Sequence, residues 1–268
     1  MSTIFNKEIK EVMIKRHSVR NYENRLLSKE IIGKIEKYIN EVKNPFNGKI
    51  RIKLIKKDDS NKDVKLGTYG VIKGVNYFLA VASEKGELDL ESLGYVFEKV
   101  VLYCTFLGLG TVWMGGTFSK STFAKAMNIK ENEAISIVSP LGYEGGKKSL
   151  LASMMGSKNK KRKSYEEVFF NNNFNNPLSK KDAESYSEVL EMVRIAPSSM
   201  NKQPWRILKV GNKFHFYTAG KIEMNRIDIG IALCHFHLMA EEQNLNGEFK
   251  IIEPKIESEY KYVMSWIG

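Results

Sequence analysis

The chain has 268 residues, 43% of them hydrophobic and 27% charged, with a formal net charge of +11. That length and apolar content can bury a substantial core, as one compact unit or two intertwined halves, so the chain reads as globular. No window approaches the roughly eighteen uninterrupted apolar residues of a membrane-spanning helix, and Met1 to Glu8 carries no signal-peptide core; a cytoplasmic protein is expected.

In chain order, the first distinctive run is Arg16-His17-Ser18-Val19-Arg20, followed by Tyr22. It reads either as a basic helix end facing its own dipole or as an anion-binding segment, since two planar arginine forks around a short hydroxyl suit phosphate oxygens. Leu27-Ser28-Lys29 opens a helix whose apolar stripe is Ile35, Ile39 and Val42. The loop Asn44-Pro45-Phe46-Asn47-Gly48 leads into a strand at Arg51-Ile52, and a long apolar helix runs through Leu93-Gly94, Phe97 and Leu102. Gly108-Leu109-Gly110-Thr111-Val112-Trp113-Met114-Gly115-Gly116 follows it. Residues 147–176 hold Lys158 to Lys163, Met154-Met155-Gly156 and Asn171-Asn172-Asn173, and read as a basic connector.

Beyond the connector, Leu178-Ser179-Lys180 opens a second amphipathic segment. It ends in Ala196-Pro197-Ser198-Ser199-Met200-Asn201-Lys202-Gln203-Pro204-Trp205, a polar elbow before the strand Arg206 to Val210. Pro197 and Pro204 keep that loop out of a helix, while two hydroxyls and an amide sit within four residues. His215 alternates with Phe214 and Phe216 in a strand; His235 and His237 are two apart on a helix and face different directions, so no metal site is implied. Cys104 and Cys234 each lie in an apolar helical run and read as buried thiols.

These elements repeat. Leu27-Ser28-Lys29 recurs at Leu178-Ser179-Lys180, a shift of 151, which carries Ile35, Ile39 and Val42 onto Tyr186, Leu190 and Val193. Arg51-Ile52 falls on Arg206-Ile207 at a shift of 155, and Leu93-Gly94, Phe97 and Leu102 fall on Ile229-Gly230, Leu233 and Leu238 at a shift of 136. The first copy is four residues shorter where the second carries its Ser-Ser-x-Asn loop.

The Arg-x-Ser-x-Arg run, the Gly-rich segment, the basic cluster Lys160-Lys161-Arg162-Lys163-Ser164-Tyr165-Glu166-Glu167 and the Ser-Ser-x-Asn loop together resemble the nitroreductase family, FMN enzymes in which two subunits share each site. Their order differs here, because the Ser-Ser-x-Asn loop comes last, and the layout is similar to a two-halved branch called putative TM nitroreductases. The resemblance implies an α+β, nitroreductase-like fold, internally duplicated so that one chain mimics the usual dimer. Residues 1–146 would form the first half, 147–176 the connector and 177–268 the second half. One complete FMN site would survive, in a monomer of pseudo-dimer architecture or a weak homodimer.

The resemblance also implies roles. Arg16, His17, Ser18 and Arg20, with Lys160 and Arg162, would hold the FMN phosphate; a solvated linker is the alternative for the connector's other lysines. Gly115 and Gly116 would let backbone approach the ring, and Trp113 would form a wall or merely pack. Pro197 would brace Ser198, Ser199 and Asn201 against the flavin's polar edge. The flavin itself would carry the chemistry, so no catalytic acid or base is expected. NAD(P)H would be the transient reductant in a ping-pong cycle that reduces nitroaromatics, quinones or other electron-poor small molecules. No Gly-x-Gly-x-x-Gly follows a strand to hold the nicotinamide cofactor. The alternatives are a non-catalytic FMN carrier or sensor and a basic nucleic-acid-binding protein; no nucleic-acid or membrane partner is expected.

Overall fold

In a computed structural model, residues 9–57, 68, 70–145 and 162–268 are described. The chain divides into two compact units, a first of Lys15–Lys160 and a second of Met1–Ile14 with Lys161–Gly268. The first described helix, α1 (Ile9–Lys15), runs across that boundary.

In the first unit α2 (Lys29–Glu41) begins where Ser28 Oγ accepts a hydrogen bond from the Ile31 N–H at 3.2 Å. It buries Ile35 and Tyr38. The strands β1 (Ile50–Lys56), β2 (Tyr77–Glu84), β3 (Gly110–Thr111) and β4 (Glu133–Gly142) form an antiparallel sheet in the order β1-β2-β4-β3. Phe78, Ala80 and Ala82 of β2 join Phe123 and Met127 of α4 (Lys120–Met127) in one core. Tyr77, Leu79 and Val81, which alternate with them and so face the other way, are buried too. The long helix α3 (Asp89–Phe106) is buried along nearly its whole length, its acids Asp89, Glu91 and Glu98 included, and packs on α2, β1, β2 and β3.

The second unit holds β5 (Phe169–Asn171), β6 (Asn173–Pro177), α5 (Ser187–Arg194), β7 (Trp205–Val210) and β8 (Lys213–Thr218). It continues with α6 (Glu223–Glu242), β9 (Glu248–Lys250) and β10 (Lys261–Ile267). Its sheet runs β6-β5-β7-β8-β10-β9, with β5 parallel to β7 and the remaining pairs antiparallel. Gly211, at φ +60°, opens the tight turn between β7 and β8. Phe216 and Trp266 pack edge-to-face on Phe236 and Phe214 packs on it at a tilt, forming an aromatic core.

Each unit thus contains a helix, a hairpin, a long buried helix and a returning strand, and β1-β2-β4-β3 has the same order as β7-β8-β10-β9. The architecture is α+β.

Two segment boundaries differ from the sequence expectation. The 147–176 segment is not connector throughout: after Arg162, Tyr165, Val168, Phe169 and Phe170 are buried, and β5 adds to β7. Its asparagines and lysines masked four apolar side chains that a sheet edge could take. Residues 9–14 likewise belong with the second unit, where Lys10 bonds Glu188 through Nζ at 2.6 Å and Glu242 through its backbone N–H at 3.2 Å.

Candidate functional site

The Arg16–Tyr22 run is an extended segment stitched into the first unit. The Val19 N–H donates to the Thr111 carbonyl at 2.9 Å, the Tyr22 N–H to Lys73 at 2.9 Å and the Glu23 N–H to Tyr143 at 3.0 Å. Tyr22 Oη adds a bond to the Val19 carbonyl at 2.7 Å. Gly110 is required here, because a Cβ on it would lie 2.7 Å from Val19 Cγ2. Gly74 has φ +73°, and a Cβ there would run into the Tyr22 carbonyl.

The side chains of the run have unequal surroundings. Ser18 and His17 are exposed. His17 is bonded through Nε2 to Glu144 at 2.8 Å and through Nδ1 to the Lys15 carbonyl at 3.0 Å. It borders a recess of about 70 Å³ with Val19, Thr105, Gly108 and Glu144. Arg20 is half-buried, has no carboxylate partner among the described residues, and has its pKa lowered by burial, against a small opposing effect of Tyr22. Arg16 turns inward: its side chain is 7% exposed, and Nε lies 3.9 Å from Glu98 Oε1 of α3 without a hydrogen bond. Burial lowers its pKa too, with Glu98 opposing.

Glu98 also receives the indole N–H of Trp113 at 2.9 Å, so a single buried carboxylate touches the Arg-x-Ser-x-Arg run and the Gly-rich segment. Trp113 stacks edge-on against Phe97 at 4.8 Å. Met114 exchanges two backbone hydrogen bonds with Val138, each 3.0 Å, which fixes the bend that holds Gly115 and Gly116. A Cβ on Gly116 would meet nothing within 4 Å. That backbone borders open space.

In the second unit the loop 196–205 contains a 3-10 turn, Ser199–Asn201. Arg162 Nη1 donates to the Ala196 carbonyl at 2.8 Å and to Asn201 Oδ1 at 2.7 Å, bringing together two residues separated by 39 positions. Gln203 closes the loop: its N–H donates to Ser198 Oγ at 2.9 Å, its Nε2 to the Asn201 carbonyl at 2.8 Å, and its Oε1 accepts from the Lys163 N–H at 2.8 Å. Pro197, Ser198 and Ser199 are half-buried, whereas Met200 is 78% exposed. The Ser199 N–H donates to Asp228 Oδ1 at 2.9 Å. Lys160 lies outside the described residues.

The structure therefore assembles the expected residues into two sets, one in each unit. Glu98, Asp228 and Gln203 were not singled out from the sequence. Glu98 and Asp228 had a readable signal, an acid set among apolar neighbours, after Val96-Phe97 in one case and between Ile227 and Ile229 in the other. Both thiols are buried, and burial pushes Cys104 up to about 12. Among the described residues, no helix is long and apolar enough to cross a membrane.

Compared with the curated proteins, the chain has no match. Among solved structures it is similar to a putative nitroreductase of Thermotoga maritima, with a TM-score of 0.64 and 22% identity over 97% of this chain and 93% of that one. It also matches a nitroreductase family protein of Clostridium difficile 630, TM-score 0.42, 21% identity, over 55% of this chain and 91% of the other. A third match is an FMN-dependent nitroreductase of Clostridium difficile R20291, TM-score 0.41, 15% identity, over 52% and 88%. The family model described as "Putative TM nitroreductase" matches residues 8–240, and the chain belongs to that family.

Proposed function

We propose that the chain is an FMN-dependent oxidoreductase that draws electrons from NAD(P)H and passes them to small electron-poor acceptors such as nitroaromatics or quinones. The observation that carries this reading is Arg20. A half-buried guanidinium without a carboxylate partner among the described residues is costly unless an anion arrives, and the exposed Ser18 lies two residues before it on the same extended segment. A terminal phosphate satisfies both.

The residues fit FMN in chemistry as well as in charge. Arg20 and Ser18 hold phosphate oxygens, with His17 beside them; Lys160 belongs to the same proposed set. The bend at Gly115 and Gly116 offers main-chain groups beside open space. Ser198, Ser199 and Asn201 offer short donors and acceptors on a loop braced by Pro197 and Arg162. Trp113 is fixed by Glu98 and so supplies an immobile apolar wall. When bound, FMN supplies a carrier that is reduced in one half-reaction and reoxidised in another. The chain's task is to orient it and to leave one face reachable.

The matching strand orders support a further part of the reading, that the chain is an internal duplication; the reading also takes it as a monomeric pseudo-dimer in the cytoplasm. The test is optical. FMN titrated into the purified chain acquires a shifted, protein-bound spectrum, and NADH or NADPH bleaches it. Binding without bleaching identifies a carrier or sensor; a chain that ignores FMN and binds nucleic acid in a salt-dependent way overturns the reading.

A further inference from the structure

The Ser198–Asn201 loop is held in a conformation it would not choose alone. Met200, Asn201 and Gln203 have φ of 51°, 56° and 48°, and of the three only asparagine tolerates that left-handed region readily. Something must over-determine it. Beneath the loop lies Asp228 of α6, 2% exposed. Its Oδ1 accepts from the Ser199 N–H at 2.9 Å, and its Oδ2 is buried without a hydrogen-bond partner.

The repeat makes the pairing informative. At the shift of 136 the counterpart of Asp228 is Ser92 of α3, whose Oγ is also buried without a partner. Over Ser92 lies Gly48, so close that a Cβ on it would run into that hydroxyl. Gly48 ends the Asn44–Gly48 segment, which stands where the second copy has its Ser-Ser-x-Asn loop. The same helix position lies under the loop in both units, and it is an acid only under the Ser-Ser-x-Asn loop.

We propose that Asp228 is the positioning residue of the Ser198–Asn201 loop, its buried carboxyl clamping the Ser199 N–H and holding the left-handed turn in which Asn201 meets Arg162. The proposal rests on the reading of that loop as an FMN ligand, and its test separates the two.

The clamp depends on pH, because burial raises the Asp228 carboxyl to about 7, against the lowering effects of the Ser199 N–H, Asn225 and Lys202. The charged groups of the other elements packed on α6 are engaged elsewhere. On α5, Glu191 pairs with Arg194 and Glu188 with Lys10; on β7, Arg206 bonds Gln203 and Trp205 carbonyls and Lys209 the Asp182 carbonyl; on β8, His215 bonds Ser265, and Lys213 is solvent-exposed at the start of the strand. Opening the loop hydrates the carboxyl and lowers its pKa toward the ordinary range. A raised pKa in the closed state therefore means that the closed loop is favoured at low pH and lost as pH rises toward about 7.

Hydrogen exchange of the full chain, with and without FMN, tests this. The Ser199 amide protection factor, corrected for intrinsic exchange, should fall by up to roughly tenfold per pH unit between about pH 5 and about pH 7. Asp228→Asn keeps an acceptor and should make protection independent of pH. Asp228→Ala should remove protection at every pH and weaken FMN binding at least about tenfold, while circular dichroism and melting show the fold intact. Wild-type protection that ignores pH, or an Asp228→Ala chain as protected as wild type, overturns the proposal. If the exchange results hold but no form of the chain binds FMN, the positioning role stands and the cofactor reading falls.

Discussion

The buried pair of Arg16 and Glu98 allows the magnitude of a single substitution to be worked from geometry. Both side chains are nearly or wholly out of water, and at 3.9 Å their attraction at an effective dielectric near 20 is about 4 kcal/mol. Desolvation of the two ions offsets much of that, so the pair adds little net stability while intact. Removing one partner is different. Glu98→Leu strands a buried guanidinium and leaves the Trp113 indole N–H without its acceptor, and should cost about 3–5 kcal/mol. For a chain of this size that lowers Tm by roughly 6–20 °C. The double variant Arg16→Met with Glu98→Leu removes the stranded charge and should recover most of the loss. Differential scanning fluorimetry on the four chains measures the cycle. A Glu98→Leu chain within about 2 °C of wild type, or a double variant no better than the single, would show that Arg16 reaches water or another anion and that the pair does not hold this segment.

The remaining expectations are shorter. Heat-released flavin should amount to about one FMN per chain, since one full set of motifs is present; a ratio near two would refute the single-site reading. Arg20→Ala should weaken FMN binding by about 1.5–3 kcal/mol, roughly tenfold to over a hundredfold by fluorescence titration, with little effect on Tm. Arg51 holds Glu133 down to about 2, so the folded chain gains stability from that carboxylate above its ordinary value of 4.5 and loses it as pH falls from there toward about 2. Acid melting curves of Arg51→Met should lack that decline, and curves parallel to wild type would disprove the linkage. Finally, mixing an Arg20→Ala chain with a Ser198→Ala, Asn201→Ala chain should restore no FMN binding if each site is built within one chain; recovery on mixing would mean that sites are shared between chains.

Much of the molecule is legible in its residues because the signals are local. Pro197 and Pro204 mark an elbow, apolar runs around Gly94 and Gly230 mark the buried helices, and the shift between copies marks matching elements. What local pattern cannot supply is the partner. Phe169 and Phe170 read as two apolar residues in an asparagine-rich stretch, and only the sheet reveals that they add in parallel to Ile207 and Leu208. Ile9 to Ile14 show an amphipathic stripe but not the unit that buries it. Arg16 and Arg20 look alike in sequence, four positions apart, so alternation alone places them on one side. The backbone bonds that fix this segment begin at Val19, and Arg16 instead turns in toward Glu98.

The two overlooked acids explain each other through the repeat. At the shift of 136 Glu98 falls on Cys234, just as Asp228 falls on Ser92. All four positions are buried. The first unit has the Arg-x-Ser-x-Arg run and the Gly-rich segment, and its long helix carries the acid that touches both. The second has the Ser-Ser-x-Asn loop, and its helix carries the acid beneath that loop. Where a unit lacks the motif, the matching helix position holds a small neutral side chain. Physical cost gives the reason: a buried carboxylate without a guanidinium or an amide N–H to meet it is penalised by several kcal/mol, on the order of the whole margin of folding. A serine or cysteine at the matching position avoids that cost. Glu98 and Asp228 are thus the acids that meet a motif group of their own unit. Cys234→Glu tests the argument, because the second unit holds no Arg-x-Ser-x-Arg run to receive it. That variant should be destabilised by several kcal/mol, whereas Cys234→Ser should cost far less; equal melting of the two would show that the site tolerates an acid and that the burial argument fails.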